Sequence, residues 1–213
     1  MGTLKTQIDM NNFDCRLLEL SDIEQAAGVI SQAFVEDPLC AFMLPYKRTR
    51  VKTLRKFFRA YGAVNIQNHR GYGVGEPLSG VAFWLEPIKP DVSISVKSLG
   101  LFIPLMFTFY PIGYMRATTI LKQIDLLHNK FASEPHYYLD NIGVLPSERG
   151  KGISSKLMRP FLEKADEENV TVYTDTVSKT NVALYEHFGF HCMEECVVDG
   201  TGITIWALRR PIQ

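Results

Sequence analysis

The stretch Arg149-Gly150-Lys151-Gly152-Ile153-Ser154-Ser155 combines residue types that can hold an anion. A loop with two glycines runs straight into a helix whose first turn is Ile153-Ser154-Ser155, and the first N–H groups of a helix have no acceptor within it. The aligned peptide dipoles add positive potential at that end, so phosphate is the ligand such a turn suits. Gly150 and Gly152 allow close backbone approach, small Ser154 keeps the next turn clear, and Arg149, Lys151 and Lys156 offer charge nearby. Two phosphate-loop patterns are excluded: GxxxxGK[ST] does not occur, and the loop is not GxGxxG in a dinucleotide-binding context. The plainer reading of the same residues is a glycine loop that caps a helix.

Downstream, Asn181-Val182-Ala183-Leu184-Tyr185-Glu186-His187-Phe188-Gly189-Phe190 places an amide and a phenol just ahead of a Gly-Phe pair. Alone, Tyr185 reads as an ordinary buried aromatic. Together the two segments carry a resemblance. Arg149-x-x-Gly152-x-Ser154 resembles the Q/R-x-x-G-x-G/A signature of the GNAT superfamily of N-acetyltransferases, with Ser in the last small position, and the Asn181–Phe190 segment is similar to the Asn…Tyr…Gly-Phe stretch that follows it there. Ala33-Phe34 with Asp37-Pro38, the Val81–Trp84 strand ending at Pro87, Glu134-Pro135 and Pro160 narrow the likeness to the branch containing puromycin N-acetyltransferase.

The resemblance implies acetyl-CoA as cosubstrate, no metal, and direct transfer to a primary amine. It implies the pyrophosphate on the amides of Gly150, Lys151, Gly152, Ile153, Ser154 and Ser155 beside Arg149, Ile142 and Val144 along the cofactor with the Val144 amide polarising the acetyl carbonyl, and Asn181 on the cofactor arm. Tyr185 then protonates the departing thiolate. Because an ammonium cannot attack a thioester, a base is needed, and Glu134 and Asp140 are the two carboxylates weighed for it, each equally readable as a solvated acid. A small-molecule amine is the implied acceptor. A protein or peptide N-acetyltransferase and a non-catalytic acyl-CoA sensor are the alternatives, and homodimer formation is left open.

The elements that must position these groups are legible in the pattern. A strand at 13–18, a helix over 22–34 opened by a Ser21/Glu24 capping box, and an amphipathic helix with Leu54, Phe57, Phe58, Tyr61 and Val64 at helical spacing come first. A hairpin follows (71–75 and 80–85, turning through 76–79), then a helical insertion over 91–131 between the third and fourth strands, a strand at 136–144, a helix at 152–168 and a strand at 170–176. A short helix at 181–187 and strands near 190–198 and 202–208 complete the series. The expected fold is α/β (α+β), a single GNAT-like domain over 1–213 with a mixed, mostly antiparallel central sheet flanked by helices.

Composition narrows the function classes. The 23 basic and 23 acidic residues cancel, which argues against a broad nucleic-acid surface. The apolar, aromatic run Leu99–Tyr114 is interrupted by Pro104 and Pro111 and is too short to span a bilayer, so it reads as buried helix or pocket wall, with Phe107 and Tyr110 as candidate acceptor contacts. The start has no apolar run of the secretory kind, and Cys15, Cys40, Cys192 and Cys196 lack disulfide or zinc spacing, giving free thiols and a cytoplasmic expectation.

Overall fold

Strand β3 (Gly80–Leu85) shows how the molecule is layered, because its side chains alternate between two cores. Val81 and Phe83 pack with one apolar cluster, Ala82 and Trp84 with another on the opposite face, and all four are essentially inaccessible. A strand buried on both faces needs helices on both, which is why its sequence is a continuous apolar run. The computed structural model describes residues 14–87 and 111–213, with side chains from 14–87 and 117–213.

Seven strands form one sheet in the order β1-β2-β3-β4-β5-β7-β6. They are β1 (Arg16–Leu17), β2 (Gly71–Val74), β3, β4 (His136–Val144), β5 (Thr171–Thr176), β6 (His191–Val198) and β7 (Ile203–Arg210). Every neighbouring pair is antiparallel except β4 with β5. Helices α1 (Ile23–Ala33) and α3 (Lys47–Gln67) cover β3 and β4 on one face through Ala26, Ile30, Leu54 and Phe58. On that face α4 (Pro111–Phe131) covers β5 to β7 through Ile120 and Leu127, and the six-residue α2 (Pro38–Met43) packs beside it. On the other face lie α5 (Ile153–Glu167), which buries Leu157, Met158, Phe161 and Ala165, and α6 (Lys179–His187).

The expected elements appear in the expected order, with differences at their ends. The capping box that precedes α1 is formed two residues early, by Glu19 and Asp22 in place of Ser21 and Glu24: Asp22 accepts the Glu19 N–H at 2.9 Å and is gripped by Arg16 through two bonds of 2.8 Å. A fixed guanidinium outcompetes a solvated hydroxyl as the organising partner there. Helix α2 has no counterpart in the sequence reading, in which Asp37-Pro38 ends the helix over 22–34 and carries part of the family likeness. Asp37 caps it by accepting the Cys40 N–H at 3.0 Å, with Pro38 at the first helical position. Of the insertion expected over 91–131, the part from 111 is α4; residues 91–110, with Phe107 and Tyr110, lie outside the described residues. At the C-terminal end Arg210, 5% exposed, joins three elements by donating two bonds of 2.7 Å to Asp166 of α5 and one of 3.1 Å to the Phe188 carbonyl just after α6.

Candidate active site

The parallel pair β4–β5 stays together only briefly. His136, Tyr137 and Tyr138 pair with Thr171, Val172 and Tyr173, and beyond that rung the strands part. Past it side chains tie the strands, the Thr174 hydroxyl donating to the Leu139 carbonyl and the Tyr138 hydroxyl to Asp175, each at 2.9 Å. The divergence has a local cause in β4. Its register against β3 jumps from Leu139↔Trp84 to Asn141↔Phe83, leaving Asp140 as an extra residue, a β-bulge that bends the strand. The bulge also resets the alternation, so that Tyr137 and Leu139 before it and Ile142 and Val144 after it share the α5 face. Gly143 faces α1 so closely that a Cβ there would sit 2.9 Å from that of Ala33.

One backbone group is aimed by the same register. Leu145 N–H donates to the Ser79 carbonyl at 2.9 Å, on the β3 side. Successive N–H groups of a strand point to opposite edges, so the Val144 N–H points into the wedge that β5 has left.

Into this wedge opens a cleft of about 540 Å³. Its phosphate-binding wall is the loop foreseen in the sequence: Gly150 (φ 78°) and Gly152 (φ 75°) are both left-handed, and a Cβ at either would meet no protein atom within 4 Å. Glycine is required there by backbone conformation and not by crowding. Buried Ile153 anchors the turn, and the first helical bond runs from Lys156 N–H to the Gly152 carbonyl at 3.2 Å. The amides of Ile153, Ser154 and Ser155 therefore precede the hydrogen-bond ladder and have no intrahelical acceptor. Arg149 lines the cleft, while Lys151 is turned to Glu148 at 3.0 Å and Lys156 to Asp14 at 2.8 Å.

The opposite wall belongs to α6 and to the turn between α1 and α2. Asn181 and Tyr185 line it together, Asn181 donating to the Thr176 hydroxyl at 3.3 Å. Tyr185 is 4% exposed, packs on Phe190 at 5.7 Å, and meets the Thr174 hydroxyl. Burial, together with the negative charge of Asp175 and Asp37, raises its phenol well above the ordinary value and keeps its proton on. Asp37 lines the same cleft, and burial raises its carboxyl.

The structure thus brings Ile142, Val144, Arg149, Gly150 and Gly152 to one cleft with Ile153, Ser154, Ser155, Asn181 and Tyr185. It does not bring the two weighed bases there. Glu134 is exposed and ion-paired with Arg209 at the far end of β4, and Asp140 faces α3, where the Tyr61 hydroxyl donates to it. Lys151 also stands off the cleft. Three carboxylates do line it: Glu36 and Glu148, paired with Lys47 and Lys151, and Asp37, which the sequence showed as a helix breaker and not as a site residue. Among the described residues no cluster of His, Cys, Asp and Glu has the arrangement of a metal site.

Residues 98–190 match the model of the acetyltransferase (GNAT) family. The chain carries a GNAT acetyltransferase domain. Its curated relatives include an uncharacterized N-acetyltransferase of Schizosaccharomyces pombe, 26% identical over 187 residues that cover 81% of this chain and 72% of that one. The GNAT fold is shared with a solved structure described as histone acetyltransferase HPA2 and related acetyltransferase from Corynebacterium glutamicum, at a TM-score of 0.64 and 20% identity over 94% of this chain and 97% of that one. The polyamine N-acetyltransferase of Drosophila melanogaster, which forms N-acetylagmatine, superposes with a TM-score of 0.62 at 13% identity over 92% and 98% of the two chains. None of these three relatives is a puromycin N-acetyltransferase. Among the described residues, no helix of the GNAT domain is long and apolar enough to cross a membrane.

Proposed function

We propose that this GNAT domain transfers an acetyl group from acetyl-CoA to the primary amine of a small molecule. The observation that carries the reading is the convergence on one cleft of the left-handed glycine turn at 150–152, the wedge-facing Val144 amide, the buried Tyr185 phenol and Asp37. The orphan amides of Ile153 to Ser155 and the open space over Gly150 and Gly152 fit a pyrophosphate, with Arg149 as its side-chain cation. Asn181 would hold the pantetheine arm.

In the reaction Asp37 takes one proton from the acceptor ammonium, and the freed nitrogen lone pair attacks the acetyl carbon. The carbonyl oxygen, gaining charge, is met by the Val144 N–H. As the C–S bond breaks, Tyr185 gives its proton to the sulfur and recovers one from the new amide nitrogen. The balance is ammonium plus thioester to amide, thiol and one released proton. Holding both reactants in one wedge supplies the proximity that makes a covalent acetyl-enzyme unnecessary.

The small-molecule acceptor is supported by the likeness in fold to a polyamine N-acetyltransferase. The deciding experiment is thiol release from acetyl-CoA with agmatine, putrescine, n-butylamine, tyramine and a peptide bearing a free N-terminus. Turnover with the small amines is expected. Turnover with the peptide alone would give the acceptor to proteins, and no CoA release with any amine despite acetyl-CoA binding would make the domain a sensor.

A further inference from the structure

We propose that Asp140 and Asp175 form a second binding site beside the acetyl-transfer cleft, which holds the distal cation of a diamine-type acceptor, an amine carrying an ammonium or guanidinium a few carbons from its reacting nitrogen. The proposal rests on the amine-acetyltransferase reading and deepens it to a class of substrate.

Placement follows from register. Tyr138 and Tyr173 form the last paired rung of β4 and β5, and Asp140 and Asp175 each lie two residues beyond it. The two carboxylates therefore stand on opposite strands at the level where the wedge opens. Both belong to the face covered by α3 and α4. Asp140 accepts from the Tyr61 hydroxyl of α3, and Asp175 accepts from the Tyr138 hydroxyl at 2.9 Å. Asp125 of α4 adds a third negative charge that Asp175 feels, and Arg70 beside Asp140 is the opposing cation. Acids outnumber it, and Asp140 and Asp175 both keep partial exposure.

This pair is in electrostatic debt. Burial raises both carboxyls, and Asp175 reaches about 7 because the charges of Asp140 and Asp125 add to its desolvation. A cation between two acids held this way favours the ionised form of both. A second, independent observation points to a ligand: among the described residues the Tyr173 hydroxyl, on a side chain 0% exposed, has no hydrogen-bond partner, and it lies in the field of Asp175. Buried hydroxyls are ordinarily paired. Asp175 also acts on Tyr185, which ties the acid pair to the cleft where the acetyl group is transferred. A substrate with one nitrogen at Asp37 and Tyr185 and a second cation at Asp140 and Asp175 would satisfy both ends.

The test compares putrescine with n-butylamine, which share a chain length and differ only in the distal ammonium, at saturating acetyl-CoA, in the parent, Asp140→Asn and Asp175→Asn. Asparagine keeps the shape and an acceptor for the tyrosine hydroxyl. The parent is expected to prefer putrescine in kcat/KM, and each variant to narrow that preference by about tenfold or more, mainly through the putrescine KM. A parent without the preference, a ratio unchanged in both variants, or an equal loss for both amines overturns the site. Calorimetric titration of putrescine into the same three proteins separates the two failures. A parent that releases no CoA with either amine, yet binds putrescine and loses that binding in the variants, sinks the acetyl-transfer reading and keeps the site. A parent that binds no putrescine sinks the site. Circular dichroism checks folding, and whichever variant is folded carries the comparison.

Discussion

Tyr185 is the residue whose environment and proposed role agree most closely. A phenol that protonates a departing thiolate must keep its proton until the C–S bond breaks, and burial beside Asp175 and Asp37 ensures that. Tyr185→Phe preserves the packing on Phe190 and removes only the proton. The expected result is a fall in kcat of about 10²–10⁴-fold with acetyl-CoA affinity largely retained; a variant within about threefold of the parent takes Tyr185 out of the mechanism. Asp175 gives a prediction of a different kind. Its carboxyl rises from the ordinary 3.8 to about 7, so folding favours the protonated form. That contribution is complete below 3.8 and is lost as pH rises through about 7. Asparagine mimics the protonated acid at every pH. Asp175→Asn should therefore raise the melting temperature by a few degrees at pH 8, a gain that closes toward pH 4. An equal shift at both values would mean that something other than ionisation is at work.

At the scale of elements, the glycine turn and α5 act as one unit. Gly152 occupies φ 75°, where any other residue is strained, and its neighbours supply the orphan amides. Gly152→Asp adds a side chain and a negative charge where the pyrophosphate is proposed to sit. Acetyl-CoA affinity should drop by at least about tenfold in calorimetry while circular dichroism stays close to that of the parent, since no protein atom lies within 4 Å of the new Cβ. Unchanged affinity in a folded variant would place the pyrophosphate elsewhere. The opposite wall is held by Arg210, whose bonds to Asp166 and to the Phe188 carbonyl fix α6, and with it Asn181 and Tyr185, relative to α5.

For the whole molecule, the cleft separates β4 from β5 in the middle of the sheet, so a ligand in it bridges the two halves. Binding to the folded state alone stabilises by about 2.7 kcal/mol at a hundredfold excess over Kd. Acetyl-CoA should raise the melting temperature by several degrees and slow amide exchange both at 150–155 and in α6. Protection confined to the glycine turn would show that the cofactor does not span the wedge.

The glycine turn, the central strand, α5 and the Asn181–Phe190 segment were all readable from residues 136–190, because each depends on neighbours in the chain: left-handed glycines before an apolar-periodic helix, a short strand, a polar helix ending in Gly-Phe. The cofactor half of the site follows from these local signals. The acceptor half does not. Asp140 looked like a base until the bulge turned it toward Tyr61, and Glu134 until Arg209 of β7 paired with it. Asp37 looked like a helix breaker until the cleft opened beside it. Which carboxylate faces the substrate depends on strand register, on one extra residue in β4 and on partners as many as 79 positions away in the chain. Those relations exist only once the sheet has formed, because sequence spacing specifies what an element offers and packing alone specifies what it faces.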